Sequence, residues 1–211
     1  MAENKHCVFI VDDDSAVRMG LTRLLHSAGY QAESFASAAE FLQRKPHDGN
    51  ACLVLDVRMP GISGTELQKK LNENDTDLPV IFLTGHGDVP LAVDAMKQGA
   101  DDFLTKPVDE KILLDAVKRA LFRHRSVRSE QLKAGQAQAH LDKLTPRELE
   151  VLQNILGGAT NKQIAYDLGI AEKTVKIHRG KVMQKLNVSS AAELGWVCSF
   201  TSITAIKNHK A

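Results

Sequence analysis

Carboxylates, a hydroxyl and an amine stand at the ends of four short apolar runs in this chain. Val8-Phe9-Ile10-Val11 leads into Asp12, Asp13 and Asp14, and Cys52-Leu53-Val54-Leu55 into Asp56. Pro79-Val80-Ile81-Phe82-Leu83 leads into Thr84, and Phe103-Leu104-Thr105 into Lys106-Pro107. Short apolar runs bounded by turn formers read as buried parallel strands. Open α/β sheets place their ligand sites at the carboxyl ends of such strands. As parallel neighbours, the four would bring their polar ends together around Asp56. Three carboxylates held together repel one another and need a cation or a raised pKa. Mg2+ suits such a set, since it takes one or two carboxylates together with phosphate oxygens and water. A carboxylate nucleophile, a Lys point charge and a Thr hydroxyl then fit phosphoryl transfer through an aspartyl phosphate. Gly85 leaves space beside Thr84 for the phosphoryl group. Asp14 is expected to cap the helix that follows.

The elements that position these groups alternate along the chain. Strands are expected at His6–Val11, Gln31–Phe35, the Asp56 run, the Thr84 run and Asp101–Thr105. Between them, helices are expected at Ser15–Ala28, from the capping-box pattern Ser37-Ala38-Ala39-Glu40 to Arg44, at Ser63–Asn72 and from Asp88-Val89-Pro90 to Gly99. A fifth helix starts at Asp109. Five strand–helix pairs in about 120 residues imply a doubly wound parallel sheet. Residues 123–141 form a polar stretch able to continue the fifth helix, with Gly135 as its weak point. The remainder is all helical: a capped helix opening at Thr145-Pro146-Arg147-Glu148, then Asn161–Leu168, Ala171–Leu186, and Ser190 to about Ala205. Two short helices around Gly169 suggest a helix-turn-helix.

Length and charge agree with two parts. The chain has 211 residues and a formal net charge of +1, spread as −4 over residues 1–125, +1 over 126–141 and +4 over 142–211. An acidic front and a basic tail suggest different partners. Cys7, Cys52 and Cys198 make no metal spacing, and the first two read as small buried hydrophobes at strand starts. No signal peptide or membrane-length run is present, which predicts a cytoplasmic protein.

Val11-Asp12-Asp13, Leu55-Asp56-Val57-Arg58-Met59-Pro60, Thr84-Gly85-His86-Gly87-Asp88-Val89-Pro90 and Lys106-Pro107 resemble the receiver domain of bacterial two-component response regulators, most closely the FixJ branch. The likeness covers residues 6 to about 122. It implies a flavodoxin-like fold with Asp56 as acceptor of a phosphoryl group from a sensor histidine kinase. It further implies Mg2+ on Asp12, Asp13, Asp56 and the Arg58 carbonyl, Lys106 beside the phosphoryl group after a cis Lys106-Pro107 bond, and Thr84 with Phe103 as a switch pair. Relatives often carry Tyr or His where Phe103 stands, so here the switch rests on packing. Arg58 and His86 occupy positions that tune the lifetime of the phosphorylated state.

On the helix Ala171–Leu186, Val175, His178, Val182 and Leu186 share an inward face, with His178 expected as a satisfied packing residue. Lys173, Lys176, Ile177, Gly180, Lys181 and Gln184 share the other face. Cations around an apolar and a small residue suit a helix in a major groove; a solvated charged face accounts for the pattern equally well. Leu144–Glu148, Gly158, Asn161–Ala165, Thr174–Arg179 and Lys185-Leu186 resemble the LuxR/FixJ DNA-binding domain over about 142–200. That likeness implies double-stranded promoter DNA as partner, contacted from Asn161, Lys162, Lys173, Thr174, Lys176, Ile177, Arg179, Gly180 and Lys181. Gly180 replaces a larger side chain found in many relatives.

The resulting expectation is a non-enzymatic, phosphorylation-activated transcription regulator. Its receiver is residues 1–122, its linker 123–141 and its helix-turn-helix domain 142–211. It dimerises when phosphorylated, through Trp196 and Val197. Two alternatives stay open on the residues alone: a phosphatase using Asp56 as nucleophile, and a small-molecule-sensing regulator with the same DNA-binding domain.

Overall fold

The computed structural model describes residues 6–74, 76–85 and 89–203. Its elements run β1 Cys7–Val11, α1 Ser15–Ser27, β2 Gln31–Phe35, α2 Ala38–Leu42, β3 Ala51–Asp56, α3 Gly64–Glu73, β4 Val80–Thr84, α4 Val89–Lys97, β5 Asp102–Thr105 and α5 Glu110–Leu141. Then follow α6 Pro146–Leu156, α7 Asn161–Leu168, α8 Glu172–Lys185 and α9 Ala191–Cys198. Two compact units divide the chain, Met1–Arg128 and Ser129–Ala211.

The first unit is a five-stranded, wholly parallel sheet in the order β2-β1-β3-β4-β5. Period-two alternation assigns the apolar residues of β1, β3 and β4 to one of two cores. Phe9, Val11, Leu53, Leu55 and Phe82 pack with Phe41, Leu67 and Leu71 of α2 and α3. Val8, Ile10, Val54, Ile81 and Leu83 pack with Leu21 and Leu25 of α1 and with Leu113, Val117 and Leu121 of α5. Both faces are covered, which is why β1, β3 and β4 read as unbroken apolar runs. This strand order reverses direction between β1 and β3, the switch point where doubly wound sheets open a crevice. Asp12 and Asp56 stand at that point.

The helix starts follow local chemistry. Asp14 caps α1, its Oδ1 accepting from the N–H groups of Ala16 and Val17. Ser63 with Glu66 and Thr145 with Glu148 form full capping boxes. At α2 the expected box is only half made: Ser37 accepts from Glu40, but the Glu40 carboxylate bonds the N–H of Ala36, one residue earlier.

The polar stretch after residue 122 continues the fifth helix, as its composition allowed: α5 is one helix of 32 residues that passes through Gly135. Two expectations about extent change. The first compact unit reaches Arg128 rather than 122. Arg123 pairs with Asp101, the Ala51 N–H donates to His124 Nδ1, and Arg128 pairs with Asp48. These long-range polar contacts are invisible in apolar periodicity. At the other end, α9 stops at Cys198 instead of near Ala205, which itself lies outside the described residues. Among the described residues, no helix is long and apolar enough to cross a membrane.

The second unit packs its helices on two small cores. Leu141, Leu152, Val182, Leu186, Leu194 and Cys198 form one. Val151, Ile164, Ala165 and Val175 form the other, joining α6, α7 and α8. Gly169 ends α7 with φ +63°, a left-handed cap that lets the chain turn directly into α8.

Candidate functional site

Lys106 is the hub of the crevice. Its Nζ lies 2.6 Å from Asp12 Oδ2 and 2.7 Å from Asp56 Oδ1, so one ammonium joins the ends of β1 and β3. Its own position past β5 is set by its N–H, which donates to the Thr84 carbonyl at 2.6 Å, and its bond to Pro107 is cis. Asp56 Oδ2 accepts from the Arg58 N–H at 3.0 Å, and Asp12 Oδ1 from the Asp14 N–H at 2.9 Å. Both carboxylates are buried, at 6 % and 1 % exposure. Behind Asp56 the chain returns tightly: a Cβ on Gly64 would sit 2.2 Å from the Asp56 carbonyl oxygen. Only a residue without a side chain lets α3 begin there.

Burial raises the Asp56 pKa, while the bonds from Lys106 and the Arg58 N–H pull it down. Burial alone would lower Lys106, but its hydrogen bonds to Asp12 and Asp56 outweigh that and hold it above the usual lysine value. Two carboxylates around a firmly protonated amine leave one negative charge, which attracts a further cation.

The sequence placed three carboxylates together, and the structure brings two of them to one ammonium. Among the described residues no three His, Cys, Asp or Glu side chains stand close enough to hold a metal ion. Asp13 is exposed, while Asp12 and Asp56 are engaged by Lys106. The donor chemistry still fits Mg2+. Asp12 and Asp56 present hard carboxylate oxygens at one crevice, too few for a closed cage but suited to an ion that keeps water and phosphate oxygens.

The remaining receiver candidates divide. Thr84 is buried at the end of β4, in register beside Thr105. Phe103 is half-buried, its ring 6.1 Å from that of Phe82, so packing is its visible role. The Arg58 side chain is exposed at the rim. His86 lies outside the described residues. Cys7 and Cys52 are buried as expected, and burial pushes the Cys7 thiol up to about 12. Sequence reasoning missed Arg18, which donates from Nη1 to the carbonyls of Asp12 and Asp13 at 2.7 and 3.0 Å. Its signal was an arginine six residues past Asp12, one turn into α1.

In the second unit, α8 turns Val175 and Val182 into the core and leaves Lys173, Lys176, Ile177, Gly180 and Lys181 exposed along one face. Thr174 and Arg179 flank that face half-buried. On α7, Lys162 is exposed and Asn161 half-buried. No acidic side chain pairs with Lys173, Lys176 or Lys181 among the described residues, leaving their charges for an outside anion. His178 does turn inward, but among the described residues its buried Nδ1 has no hydrogen-bond partner, so it is not the satisfied residue expected. On α9, Leu194 is core, whereas Trp196 is 58 % exposed with its ring 5.0 Å from that of Phe200, and Val197 is half-buried.

Comparison with known proteins covers both units. Residues 8–118 match the family described as response regulator receiver domain, and residues 142–197 that described as bacterial regulatory proteins, luxR family. Nodulation protein W of Bradyrhizobium diazoefficiens is 46% identical over 193 residues, spanning 92% of this chain and 85% of that protein. The transcriptional regulatory protein FixJ of Azorhizobium caulinodans is 46% identical over 191 residues, 89% of each chain. Among solved structures, the response regulator StyR is 47% identical, with a TM-score of 0.86 over 93% of this chain and all of that one.

Proposed function

The chain belongs to the FixJ/NarL family of two-component transcriptional response regulators, and we propose that Asp56 is its phosphoacceptor and that phosphorylation switches the second unit to dimeric DNA binding. A receiver domain implies a histidine kinase as partner, and a LuxR-type domain implies DNA. We assign the receiver to residues 1–122 together with the turn of α5 that reaches Arg128. The rest of residues 123–141 is a helical linker and 142–211 the DNA-binding domain. Action on DNA places the protein in the cytoplasm.

The observation that carries the reading is the Lys106 ammonium held 2.6 and 2.7 Å from Asp12 and Asp56 at the switch point of the sheet. In the reaction an Asp56 carboxylate oxygen attacks the phosphorus of a phosphohistidine. The ring reacts with its other nitrogen protonated, so when the P–N bond breaks and its electron pair stays with the ring nitrogen, the histidine leaves as neutral imidazole. Lys106 follows the negative charge from the carboxylate to the phosphoryl oxygens. The Thr84 hydroxyl meets the same group, and Phe103 repacks in response. Receiver domains use Mg2+ for this step; here Asp12, Asp13, Asp56 and the Arg58 carbonyl would hold it, offsetting charge on the transferring oxygens. Arg58 and His86 at the rim govern access of water, and hence the lifetime of the phosphorylated state. The product biases the protein toward its active state. In that state Trp196 and Val197 join two DNA-binding domains, whose α8 faces meet half-sites about 10 bp apart. Lys173, Lys176, Lys181 and Lys162 reach phosphates or base edges, and Ile177 meets thymine methyls beside Gly180. Asn161, Thr174 and Arg179 position the unit on the backbone.

Incubation with labelled acetyl phosphate and Mg2+ tests the acceptor. Wild type is expected to take up one label per chain and Asp56→Asn none. Equal labelling of the variant would refute Asp56 as the acceptor.

A further inference from the structure

Phosphoryl transfer as described gives no task to Arg18, yet its side chain is committed. It stands in the first turns of α1, and its guanidinium turns back over the loop between β1 and α1. Nη1 donates to the Asp12 carbonyl at 2.7 Å and to the Asp13 carbonyl at 3.0 Å. Those oxygens belong to the peptide planes on either side of Asp13. Fixing both planes fixes φ and ψ of Asp13, and with them the direction of its Cα–Cβ bond. The loop is held from the opposite side as well. The Asp12 N–H donates to Phe35 at 3.3 Å, the Asp14 N–H to Asp12 Oδ1 at 2.9 Å, and Asp14 caps α1. Asp12 is thus fixed through its side chain and Asp13 through its main chain. The Asp13 carboxylate itself remains exposed.

We propose that Arg18 is a positioning residue for the divalent cation: it presets the main chain of Asp13 so that this third acid joins Asp12 and Asp56 when the ion arrives. The inference rests on the phosphoacceptor reading above. Two physical effects of Arg18 oppose each other. Its positive charge near the acids repels Mg2+, so deletion would tighten binding if charge were the whole effect. Its two hydrogen bonds hold the loop in one geometry, so deletion weakens binding if order dominates. Order dominates here, because the guanidinium is turned onto main-chain oxygens and among the described residues pairs with no carboxylate. Both bonds leave from one nitrogen, so a lysine ammonium substitutes for it better than an alanine does.

Calorimetric titration of the full chain with Mg2+ alone decides the matter. Arg18→Ala is expected to weaken binding by about tenfold, the lower end of what an outer-sphere partner of a metal ligand costs, and Arg18→Lys to recover most of it. The rate of labelling by acetyl phosphate at saturating Mg2+ should stay at the wild-type value, with the Mg2+ dependence alone displaced. Unchanged or tighter Mg2+ binding by Arg18→Ala overturns the proposal, as does a fall in the saturated rate with no change in affinity. Should Arg18→Ala not fold, Arg18→Gln serves instead: its shorter, uncharged amide misses both carbonyls, and the same weakening is expected. Wild type and Asp56→Asn titrated in parallel test the underlying reading separately. If wild type binds no Mg2+, or Asp56→Asn binds it as well as wild type, the site assignment fails whatever Arg18 does.

Discussion

The two units carry their functional charges in opposite ways. Around Asp56 the charges are internal: two buried carboxylates and one ammonium satisfy each other across three strand ends. Along α8 they are external: Lys173, Lys176 and Lys181 stand exposed on one helix. The first arrangement depends on the whole sheet, because residues 12, 56 and 106 meet only when β1, β3 and β5 hold their register. The second depends on a single helix being docked by Val175 and Val182. A site of the first kind can be switched by one added group, since its charge balance is nearly closed. A site of the second kind needs only to be presented to its ligand. The pair therefore suits a sensor and a reader, and substitutions should separate them.

The largest effect is expected at the rear of the first site. Gly64→Ala puts a Cβ 2.2 Å from the Asp56 carbonyl oxygen, and main chain has to move. Displacement of Asp56 by about 1 Å should slow labelling on the order of 100-fold, while overpacking costs about 1–3 kcal/mol of stability. Labelling kinetics and urea unfolding read both. Wild-type behaviour would mean that the site tolerates motion and the contrast with α8 is overstated.

Next comes an internal charge pair in the second unit. Glu148 Oε2 accepts from Lys185 Nζ at 2.6 Å and from the Thr145 N–H at 2.8 Å, and the residue is 3 % exposed. The Lys185 bond first, then the Thr145 N–H, hold the Glu148 pKa at about 2, below its ordinary 4.5. The folded value is depressed, so this pair stabilises the unit fully above pH 4.5 and progressively less as pH falls toward about 2. Trp196, the chain's sole tryptophan, reports on this unit. Glu148→Gln should lower stability at pH 7 by about 1–3 kcal/mol and flatten the loss between pH 4.5 and 2. An acid limb identical to wild type would remove Glu148 from the account of that unit's stability.

The smallest structural effect is expected on the exposed face. Lys176→Ala should leave unfolding within about 0.5 kcal/mol of wild type while reducing the slope of log affinity for DNA against log salt by about 0.9, one phosphate contact. A stability loss like that of Glu148→Gln, with no change in slope, would erase the distinction between the two kinds of site.

The same distinction explains how much was legible in the primary structure. Each polar group at a strand end announces itself by interrupting an apolar run, so Asp12, Asp56, Thr84 and Lys106 could be gathered before any coordinates. The α8 faces follow from 3.6-residue spacing. What escaped was polar contact between distant segments. The turn of α5 past residue 122 reads as linker because its fastenings are Arg123 to Asp101, His124 to Ala51 and Arg128 to Asp48. Periodicity counts apolar residues and cannot register these. Arg18 escaped for the same reason, since its partners are carbonyls rather than a side chain of recognisable type. Asp13 was the harder acid to read: alternation along the chain places it beside Asp12 but cannot say that its carboxylate is exposed while that of Asp12 is buried.

The central claim is that the internal site controls the external one. Its most direct test is the affinity of the full chain for promoter DNA, measured before and after treatment with acetyl phosphate and Mg2+, with Asp56→Asn in parallel. The account predicts tighter binding by treated wild type, with a footprint spanning two half-sites, and no response from Asp56→Asn. Equal affinity and an unchanged footprint for treated and untreated wild type, at full label incorporation, would contradict it.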